Sequence, residues 1–298
     1  MKKFIFKKID AFATEESEGN PAAAIYLNAE HDISAHEMQR IAKELKGFVS
    51  EVGYVRQLEE NTFDLKYYSS EREVDFCGHA TIAIMYDLLK NNAELMKRQF
   101  INIMTRKGKL IVENRIMHED AVFISAPSPS FSSKEMAKEH LAKALEVSTE
   151  VISNAYPISI VNAGLETLIV PINALQALLS ITPQFEALKG YCQKNSIDII
   201  TVFADEVADK ANMYRTRVFA PTFGYLEDPA TGSGNAAFGY YLLKNNRWDG
   251  RLISLEQNGD FVRPNIVKLR AEHSGSDEAQ VVFGGGAIMR IAGEYFLA

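Results

Sequence analysis

The sequence is poor in cysteine, and this scarcity excludes two kinds of architecture. Among 298 residues, Cys77 and Cys192 are the only cysteines. They lie far apart and belong to no Cys-x-x-Cys or histidine-rich pattern, so the sequence indicates neither a disulfide framework nor a zinc cluster. We therefore expect no metal site, and any role of Cys77 has to come from its neighbours in the fold.

Excess positive charge and long apolar segments are also missing. The formal net charge is -7, and no basic stripe of the kind that a phosphate backbone requires is present. The apolar stretch at residues 4–6 is interrupted at once by Lys7, Lys8 and Asp10, so it is too short for a signal peptide or a spanning helix. We expect a cytoplasmic protein whose partners include neither nucleic acid nor membrane.

The length and composition are those of a globular protein with two domains. A chain of 298 residues exceeds the usual size of one domain. Hydrophobic residues make up 47% of the chain and charged residues 24%, which is enough to form a core in each half. Prolines and serines interrupt the strand pattern at residues 126–130. We place the domains at 1–127 and 128–298, with the option that the last strand returns to the first half.

Strand patterns dominate the chain, and helices are fewer but better marked. Thirteen segments rich in Val, Ile, Phe, Tyr and Thr predict strands, and their short spacing favours antiparallel sheets. Ser34 with Glu37 forms the pattern of a capping box at a helix start, and Ser132 with Glu135 repeats it. The pair at residues 182–183, Thr-Pro, predicts the start of a third helix. The predicted class is α+β.

An internal repeat is the most informative pattern. Sliding the chain by 154 residues aligns the segment that begins at Cys77 with the segment that begins at Thr231, and 8 of the 16 positions from 77 to 92 are then identical. The identity runs through a glycine turn and into a helical stretch. Such agreement indicates one supersecondary unit used twice, and hence a fold with two matching halves.

Each copy of the repeat leads from small residues directly into a helix. A glycine turn at a helix start exposes backbone N–H groups beside the positive end of the helix dipole, so the turns at Gly78 and Gly232 are candidate anion sites. They are equally consistent with simple tight turns. Dinucleotide binding is rejected, because Asp228-Pro229 directly upstream is incompatible with the buried strand that a Rossmann fingerprint requires.

Three side chains near these turns have both a structural and a functional interpretation. Asp228 before Pro229 is typical of a turn, but beside Gly232 and Ser233 it is also a candidate site residue. His79 is a candidate hydrogen-bond donor to a substrate, with a pKa lowered by the helix start so that the ring stays neutral. Glu51 is either an exposed strand-edge charge or a partly buried general base. The residues alone leave these alternatives open.

These residues belong to a set of motifs that resembles a known family. Together the motifs, and above all Cys-Gly-His-Ala-Thr followed by Asp-Pro-Ala-Thr-Gly-Ser, resemble the phenazine-biosynthesis PhzF-like proteins, which share the diaminopimelate epimerase-like fold. The resemblance runs over essentially the whole chain. The matching segments are 10–12, 19–23, 50–51, 73–81, 162–165, 219–221, 227–234, 263–264 and 284–287.

The resemblance implies both a fold and a set of site residues. It implies two similar domains, each a curved, mostly antiparallel, barrel-like sheet around a central helix, with the active site in the cleft between them. It assigns proton transfer to Glu51 and substrate binding to five further positions together with Asn20. It also implies a homodimer, a small carboxylate-bearing substrate and no cofactor. The five positions are His79, Asp228, Ser233, Gly78 and Gly232.

One departure from related epimerases predicts the type of reaction. Epimerases of this fold use two cysteines, because inversion at a carbon needs a proton donor and an acceptor on opposite faces. Cys77 stands in the first of these places, but Thr231 stands in the second, and a hydroxyl is too weakly acidic to replace a thiol. The expected activity is therefore a proton shift by Glu51 alone. The alternatives are a non-catalytic metabolite-binding or interaction protein, and an epimerase that pairs Glu51 with Cys77.

Overall fold

A computed structural model describes residues 1–28, 32–272 and 279–298. These residues form two compact units, one of residues 1–124 and 284–298 and the other of residues 125–283. The domains 1–127 and 128–298 stay a prediction. The elements up to residue 125 are β1 (Lys2–Ala11), β2 (Asn20–Leu27), α1 (Ala35–Glu44), β3 (Glu51–Glu59), β4 (Thr62–Ser69), β5 (Glu73–Val74), α2 (Gly78–Lys90), α3 (Ala93–Met96), β6 (Phe100–Thr105), β7 (Gly108–Asn114), α4 (Ile116–Glu119) and β8 (Val122–Ser125).

The remaining elements follow from residue 130 to the C-terminus. Short 3₁₀ turns also occur at Thr149–Val151 and Pro221–Phe223. The elements are β9 (Ser130–Phe131), α5 (Lys138–Leu145), β10 (Ser159–Asn162), β11 (Glu166–Pro171), α6 (Leu175–Leu179), α7 (Phe185–Asn195), β12 (Ile199–Ala204), β13 (Tyr214–Phe219), β14 (Glu227–Asp228), α8 (Gly232–Lys244), β15 (Ile253–Gln257), β16 (Asn265–Glu272), β17 (Gln280–Gly285) and β18 (Ala287–Leu297). The α+β class predicted from the sequence is confirmed.

The first unit encloses helix α2 in a sheet. Strand β1 pairs with β2 and with β18, both antiparallel, so the last strand of the chain lies in the first unit. The sheet continues from β2 to β3 in parallel, from β3 to β4 antiparallel and from β4 to β6 in parallel. Helix α2 packs against β1, β2, β3 and β18. Its buried carboxylate, Asp87, accepts hydrogen bonds from Lys7 (2.6 Å) and Tyr26 (2.7 Å), which satisfies the charge.

The second unit repeats this order of strand pairings. Strand β10 pairs antiparallel with β11, β11 parallel with β12, β12 antiparallel with β13, and β13 parallel with β15. Helix α8 packs against β10, β11, β12 and β16. Both α2 and α8 are buried along most of their length, which fits their nearly all-round apolar sequences. The sequence favoured antiparallel sheets, whereas both units also contain parallel strand pairs.

The repeat found in the sequence is confirmed at the level of backbone geometry. Helices α2 and α8 begin and end at positions that differ by 154 residues. Their N-caps have similar angles, φ -133° and ψ 111° at Cys77 against φ -125° and ψ 114° at Thr231. Their C-caps, Asn91 and Asn245, agree as closely. The same turn therefore leads into the same buried helix in each unit.

The helix starts were predicted with mixed success. The capping box at Ser34 and Glu37 is confirmed, since each side chain accepts a hydrogen bond from the backbone of the other residue. The corresponding prediction at Ser132 is wrong, because α5 begins only at Lys138 and residues 130–131 pair with β10. A serine hydroxyl can equally accept a bond in a turn, and here Ser132 accepts from the N–H of Lys134. The third helix begins at Phe185, two residues beyond Pro183.

Two long strand patterns are divided in the structure. The pattern over 158–170 splits into β10 and β11, and a turn at Gly164 with φ +109° separates them. The pattern over 280–297 splits into β17 and β18 around Gly286.

Among the described residues, no helix is both long enough and apolar enough to cross a bilayer.

Close packing of β3 on α2 predicts a sensitive position at Gly53. A Cβ added there would lie 2.2 Å from Cδ1 of Ile84, which is fully buried. We expect Gly53→Ala to lower the free energy of unfolding by about 1–3 kcal/mol through overpacking. Urea denaturation measures the change, and removal of that methyl group by Ile84→Val should recover part of it.

Gly190, within α7, provides the matched control. A Cβ there meets no atom within 4 Å. Gly190→Ala should therefore be neutral or stabilising by up to about 1 kcal/mol, because alanine has the higher helix propensity. Equal stability of Gly53→Ala and the wild type would contradict the packing argument.

Candidate active site

Glu51 is held at the first position of β3 by the neighbouring strand β2. The parallel register places Ala22 beside Glu51. Just before it, the N–H of Ser50 donates to the carbonyl of Pro21 (3.0 Å) and the Ser50 hydroxyl donates to Oδ1 of Asn20 (3.2 Å). Asn20 is 1% exposed, so this junction is packed and fixed. Asn20 therefore helps to fix the position of Glu51 in this structure.

The Glu51 side chain is buried beside His79. It is 18% exposed, which excludes the interpretation as an exposed strand-edge charge, and His79 is 11% exposed. Nε2 of His79 lies 3.1 Å from Oε2 of Glu51. That oxygen is buried and receives no aligned hydrogen bond from the described residues. The contact is thus an ion pair in a partly dry site, where charge interactions are stronger than in water.

Cys77 completes this cluster beside the imidazole. Its sulfur lies 3.5 Å from Nδ1 and 4.0 Å from Nε2 of His79. Burial raises the pKa of the Cys77 thiol, so the group is neutral at ordinary pH. A neutral, buried thiol is a weak proton donor.

The expectation of a lowered pKa for His79 is wrong. Burial does act to lower the pKa, but the neighbouring Cys77 and Glu51 act to raise it, and the net pKa lies well above the ordinary value. Among the neighbours that raise the pKa, Cys77 has the largest effect and the Glu51 carboxylate at 3.1 Å follows, and together they outweigh burial and the helix dipole. His79 is consequently a charged donor at neutral pH.

Helix α2 begins at this cluster without a side-chain cap. The N-cap residue Cys77 makes no capping hydrogen bond, whereas α1 has a complete capping box. The turn is instead held from within the unit: the hydroxyl of Thr81 donates to the carbonyl of Cys77 (2.7 Å) and accepts from Tyr67 (2.6 Å). The turn that leads into α2 at Gly78 is therefore held in place by buried hydrogen bonds.

The second unit has the same uncapped helix start with different side chains. Thr231 is the N-cap of α8, but its hydroxyl donates to Oδ2 of Asp228 (2.6 Å) and caps no helical N–H. Gly232 is required here, because a Cβ would lie 2.3 Å from the ring of Phe283. Ser233 follows, half-buried, and its hydroxyl has no partner among the described residues. The turn thus presents a fixed carboxylate and an available hydroxyl.

Two buried amides that the sequence did not single out hold this second turn. Oε1 of Gln257 accepts from the N–H of Thr231 (2.9 Å) and from Asn235 (2.6 Å), and Nε2 donates to the carbonyl of Asp228 (2.8 Å). Asn235 also donates to the carbonyl of Thr231 (2.9 Å) and accepts from Thr216 (3.1 Å). Asn235 occupies the repeat position of Thr81, so the alignment contained a signal for it. No local pattern marked Gln257.

The structure thus groups the predicted site residues in two sets. Asn20, Glu51, Gly78 and His79 lie together in the first unit. Asp228, Gly232 and Ser233 lie together in the second. The first set supplies an acid/base carboxylate with a charged partner, and the second supplies polar groups on a fixed turn. Glu51, Cys77 and His79 could also hold a metal ion as a group. Among the described residues, these three offer donor atoms that all lie within 4.8 Å of one another.

Comparison with known proteins agrees with this architecture. The model of the PhzC-PhzF family, phenazine biosynthesis-like proteins, matches residues 9–293. A trans-2,3-dihydro-3-hydroxyanthranilate isomerase of Pseudomonas chlororaphis is 27% identical over 286 residues, with 94% of this chain and 95% of the relative covered. Relatives of this kind are named isomerases.

Solved structures show the same fold. A phenazine biosynthesis protein of the PhzF family from Bacillus anthracis superimposes with a TM-score of 0.88 at 24% identity, covering 100% of both chains. A hydroxyproline epimerase from Agrobacterium vitis, solved with bound trans-4-hydroxy-L-proline, superimposes with a TM-score of 0.63 at 11% identity over 99% of this chain and 91% of that one. The chain therefore belongs to the PhzC-PhzF family of phenazine biosynthesis-like proteins, and it is an isomerase with the diaminopimelate epimerase-like fold.

Proposed function

We propose that this isomerase moves a proton between two carbons of a small carboxylate-bearing metabolite, without a cofactor, and that Glu51 is the general acid/base. The observation that carries the proposal is the buried pair of Glu51 and His79 at the uncapped start of α2. A carboxylate in such a site is partly freed from water and can act on a carbon acid. The charged imidazole beside it compensates for charge that changes during transfer.

The proposed reaction is a balanced proton shift. The Glu51 carboxylate takes a proton from the substrate carbon, the C–H bond breaks, and its electron pair moves into the conjugated system next to the substrate carboxylate. The protonated Glu51, whose carboxyl hydrogen exchanges with solvent, then returns a proton to a different carbon, and the double bond shifts. Negative charge on the intermediate is stabilised by helix N–H groups and by His79.

The geometry favours one base over an opposed pair. A carbon inverted between two groups needs each of them at about 3–3.5 Å on opposite sides, so the two reacting atoms have to lie roughly 6–7 Å apart. The donor atoms of Glu51 and Cys77 lie within 4.8 Å of one another. They can therefore reach a substrate from one side only, which argues against the epimerase that pairs Glu51 with Cys77.

The turns supply the proposed substrate contacts. Two helix starts that lack side-chain caps, in a chain that caps α1 fully, are suited to a substrate carboxylate or an enolate-like oxygen. Asp228 would bind an amino group or hydroxyl of the substrate, and Ser233 and Asn20 would hydrogen-bond it. Assembly as a homodimer in the cytoplasm belongs to the same proposal, and light scattering of the purified protein measures the assembly state.

The proposal is tested by deuterium uptake from solvent. Trans-2,3-dihydro-3-hydroxyanthranilate is the first compound to try, because the relative from Pseudomonas chlororaphis is named for acting on it, and other amino-bearing cyclic carboxylic acids follow. Glu51→Gln should lower the rate of deuterium incorporation at least about 100-fold, since it removes the proton carrier. Mass spectrometry of the recovered compound gives the rate.

Glu59→Gln is the matched control, because it makes the same change at the exposed end of the same strand. It should exchange protons at the wild-type rate. Retained exchange in Glu51→Gln, with both variants folded by circular dichroism, would remove Glu51 from the mechanism. Binding of a compound without exchange in the wild-type protein would favour the non-catalytic alternative.

The ion pair also predicts how His79 titrates. NMR of the metal-free protein should show the pKa of His79 above its ordinary value and lower in Glu51→Gln, because the variant has no carboxylate charge. Because the pKa of His79 is higher in the folded than in the unfolded protein, the pair of Glu51 and protonated His79 stabilises the fold fully at pH values below the unfolded-state pKa. This contribution to stability is lost as the pH rises through the folded-state pKa. An unchanged pKa in Glu51→Gln would contradict the pairing.

Thr231 is expected to act on substrate binding through Asp228. Thr231→Val keeps the shape but removes the hydroxyl that donates to the Asp228 carboxylate. A hydrogen bond to a charged group contributes about 1.5–3 kcal/mol, so KM should rise roughly 10-fold to 100-fold with a smaller change in kcat. Thr231→Ser retains the hydroxyl and should restore KM. Equal kinetics of the valine variant and the wild type would show that the bond does not position Asp228 for the substrate.

A further inference from the structure

Three side chains of different chemistry converge at the start of α2. A thiol from Cys77, an imidazole from His79 and a carboxylate from Glu51 place one donor atom each within 4.8 Å of one another. Nε2 of His79 lies 3.1 Å from Oε2 of Glu51 and 4.0 Å from Sγ of Cys77. Cysteine, histidine and glutamate are all residue types that bind zinc.

These separations are close to those of ligands on one zinc ion. With Zn–S at about 2.3 Å and Zn–N or Zn–O at about 2.0–2.2 Å, tetrahedral geometry puts neighbouring donor atoms roughly 3.4–3.6 Å apart. The nitrogen-to-sulfur distance of 4.0 Å has to shorten and the nitrogen-to-oxygen distance of 3.1 Å has to lengthen, each by about half an ångström. The third separation, between Sγ of Cys77 and the carboxylate oxygen of Glu51, is at most 4.8 Å and has to reach the same range.

An independent feature of the cluster also points to a cation. Oε2 of Glu51 is buried, and its 3.1 Å contact with Nε2 of His79 is an ion pair without hydrogen-bond alignment, so no N–H or O–H group of the described residues is aligned with its lone pairs. The three donors lie on rigid elements, since Glu51 opens β3 and the other two form the first turn of α2. The 18% exposure of Glu51 leaves access for an ion and for a fourth ligand from solvent.

We propose that Glu51, Cys77 and His79 form a binding site for Zn²⁺, with a fourth position open to water or substrate. On binding, the S–H bond of Cys77 breaks and its proton leaves to solvent, the bound nitrogen of His79 likewise loses its proton, and Zn–S, Zn–N and Zn–O bonds form with no change of oxidation state. Zn²⁺ is then bound to the Glu51 oxygen, which can no longer accept a substrate proton. We therefore expect zinc to inhibit proton transfer, and this expectation alone rests on the proposed function.

Cobalt(II) is the probe that identifies the ligands. Thiolate coordination to Co²⁺ produces a charge-transfer absorption in the near ultraviolet, and tetrahedral coordination produces intense visible bands. The wild-type protein should show both on titration with Co²⁺, and Zn²⁺ should abolish both by displacement. Cys77→Ser should lose the charge-transfer band and bind at least about tenfold more weakly, because a thiolate ligand is missing.

The second cysteine provides the control. Cys192 lies within α7, is fully buried in the core and is remote in sequence from the cluster, so Cys192→Ser should retain the wild-type spectrum. His79→Gln and Glu51→Gln should weaken Co²⁺ binding at least about tenfold by calorimetry. Absence of the charge-transfer band in the wild type, or its persistence in Cys77→Ser, would overturn the proposal. Circular dichroism establishes that each variant is folded.

The zinc site and the proton shift can fail separately. If the wild-type protein catalyses exchange, Zn²⁺ should suppress it and a chelator should restore it, while Cys77→Ser should lose that sensitivity. Exchange equally inhibited by Zn²⁺ in wild type and Cys77→Ser would refute the site as the point of inhibition. A cobalt spectrum of the expected form in a protein that exchanges no proton would support the zinc site and contradict the proposed isomerisation alone.

Discussion

The arrangement of the site depends on one constraint, the need to hold a buried helix start that lacks a cap. The first N–H groups of a helix need acceptors, which can be a side chain at the N-cap, water or a ligand. Helices α2 and α8 forgo this cap, and each turn is held instead by the residue four positions along. Thr81 bonds back to the carbonyl of Cys77 and Asn235 to that of Thr231. The helix ends remain ordered and their N–H groups remain directed outward.

The internal repeat of the sequence predicted the two glycine turns at the helix starts. It did not reveal the side chains that hold those turns. Glycine turns, the repeat of 154 residues and the class of fold were all readable, because they depend on local conformation and on periodicity. Gln257 was not readable, because its role arises only when β15 pairs with β13 and brings the amide to a turn 26 residues earlier in the chain. The parallel strand pairs were missed for the same reason, since local spacing carries no information on pairing through a crossover.

The error in the pKa of His79 has a similar origin. A helix dipole is a local property that can be read from sequence, whereas the Glu51 carboxylate comes from a strand 28 residues away in the chain and is nearer to the imidazole than any local group considered. The nearer full charge outweighs the partial charge of the helix end. The position of Ser132 illustrates the same limit, because the side-chain pattern of a capping box also occurs where a strand ends in a turn.

The two helix starts have retained one backbone and diverged in chemistry. In the first, the N-cap is a thiol that makes no capping hydrogen bond and whose pKa is raised by burial, and the carboxylate beside it is that of Glu51 from a neighbouring strand. In the second, the N-cap hydroxyl of Thr231 orients the Asp228 carboxylate. A cysteine at that position would supply a second acid, but it would be a poorer donor to the carboxylate. The threonine therefore provides a fixed polar contact with Asp228 where a cysteine would provide a second titratable group.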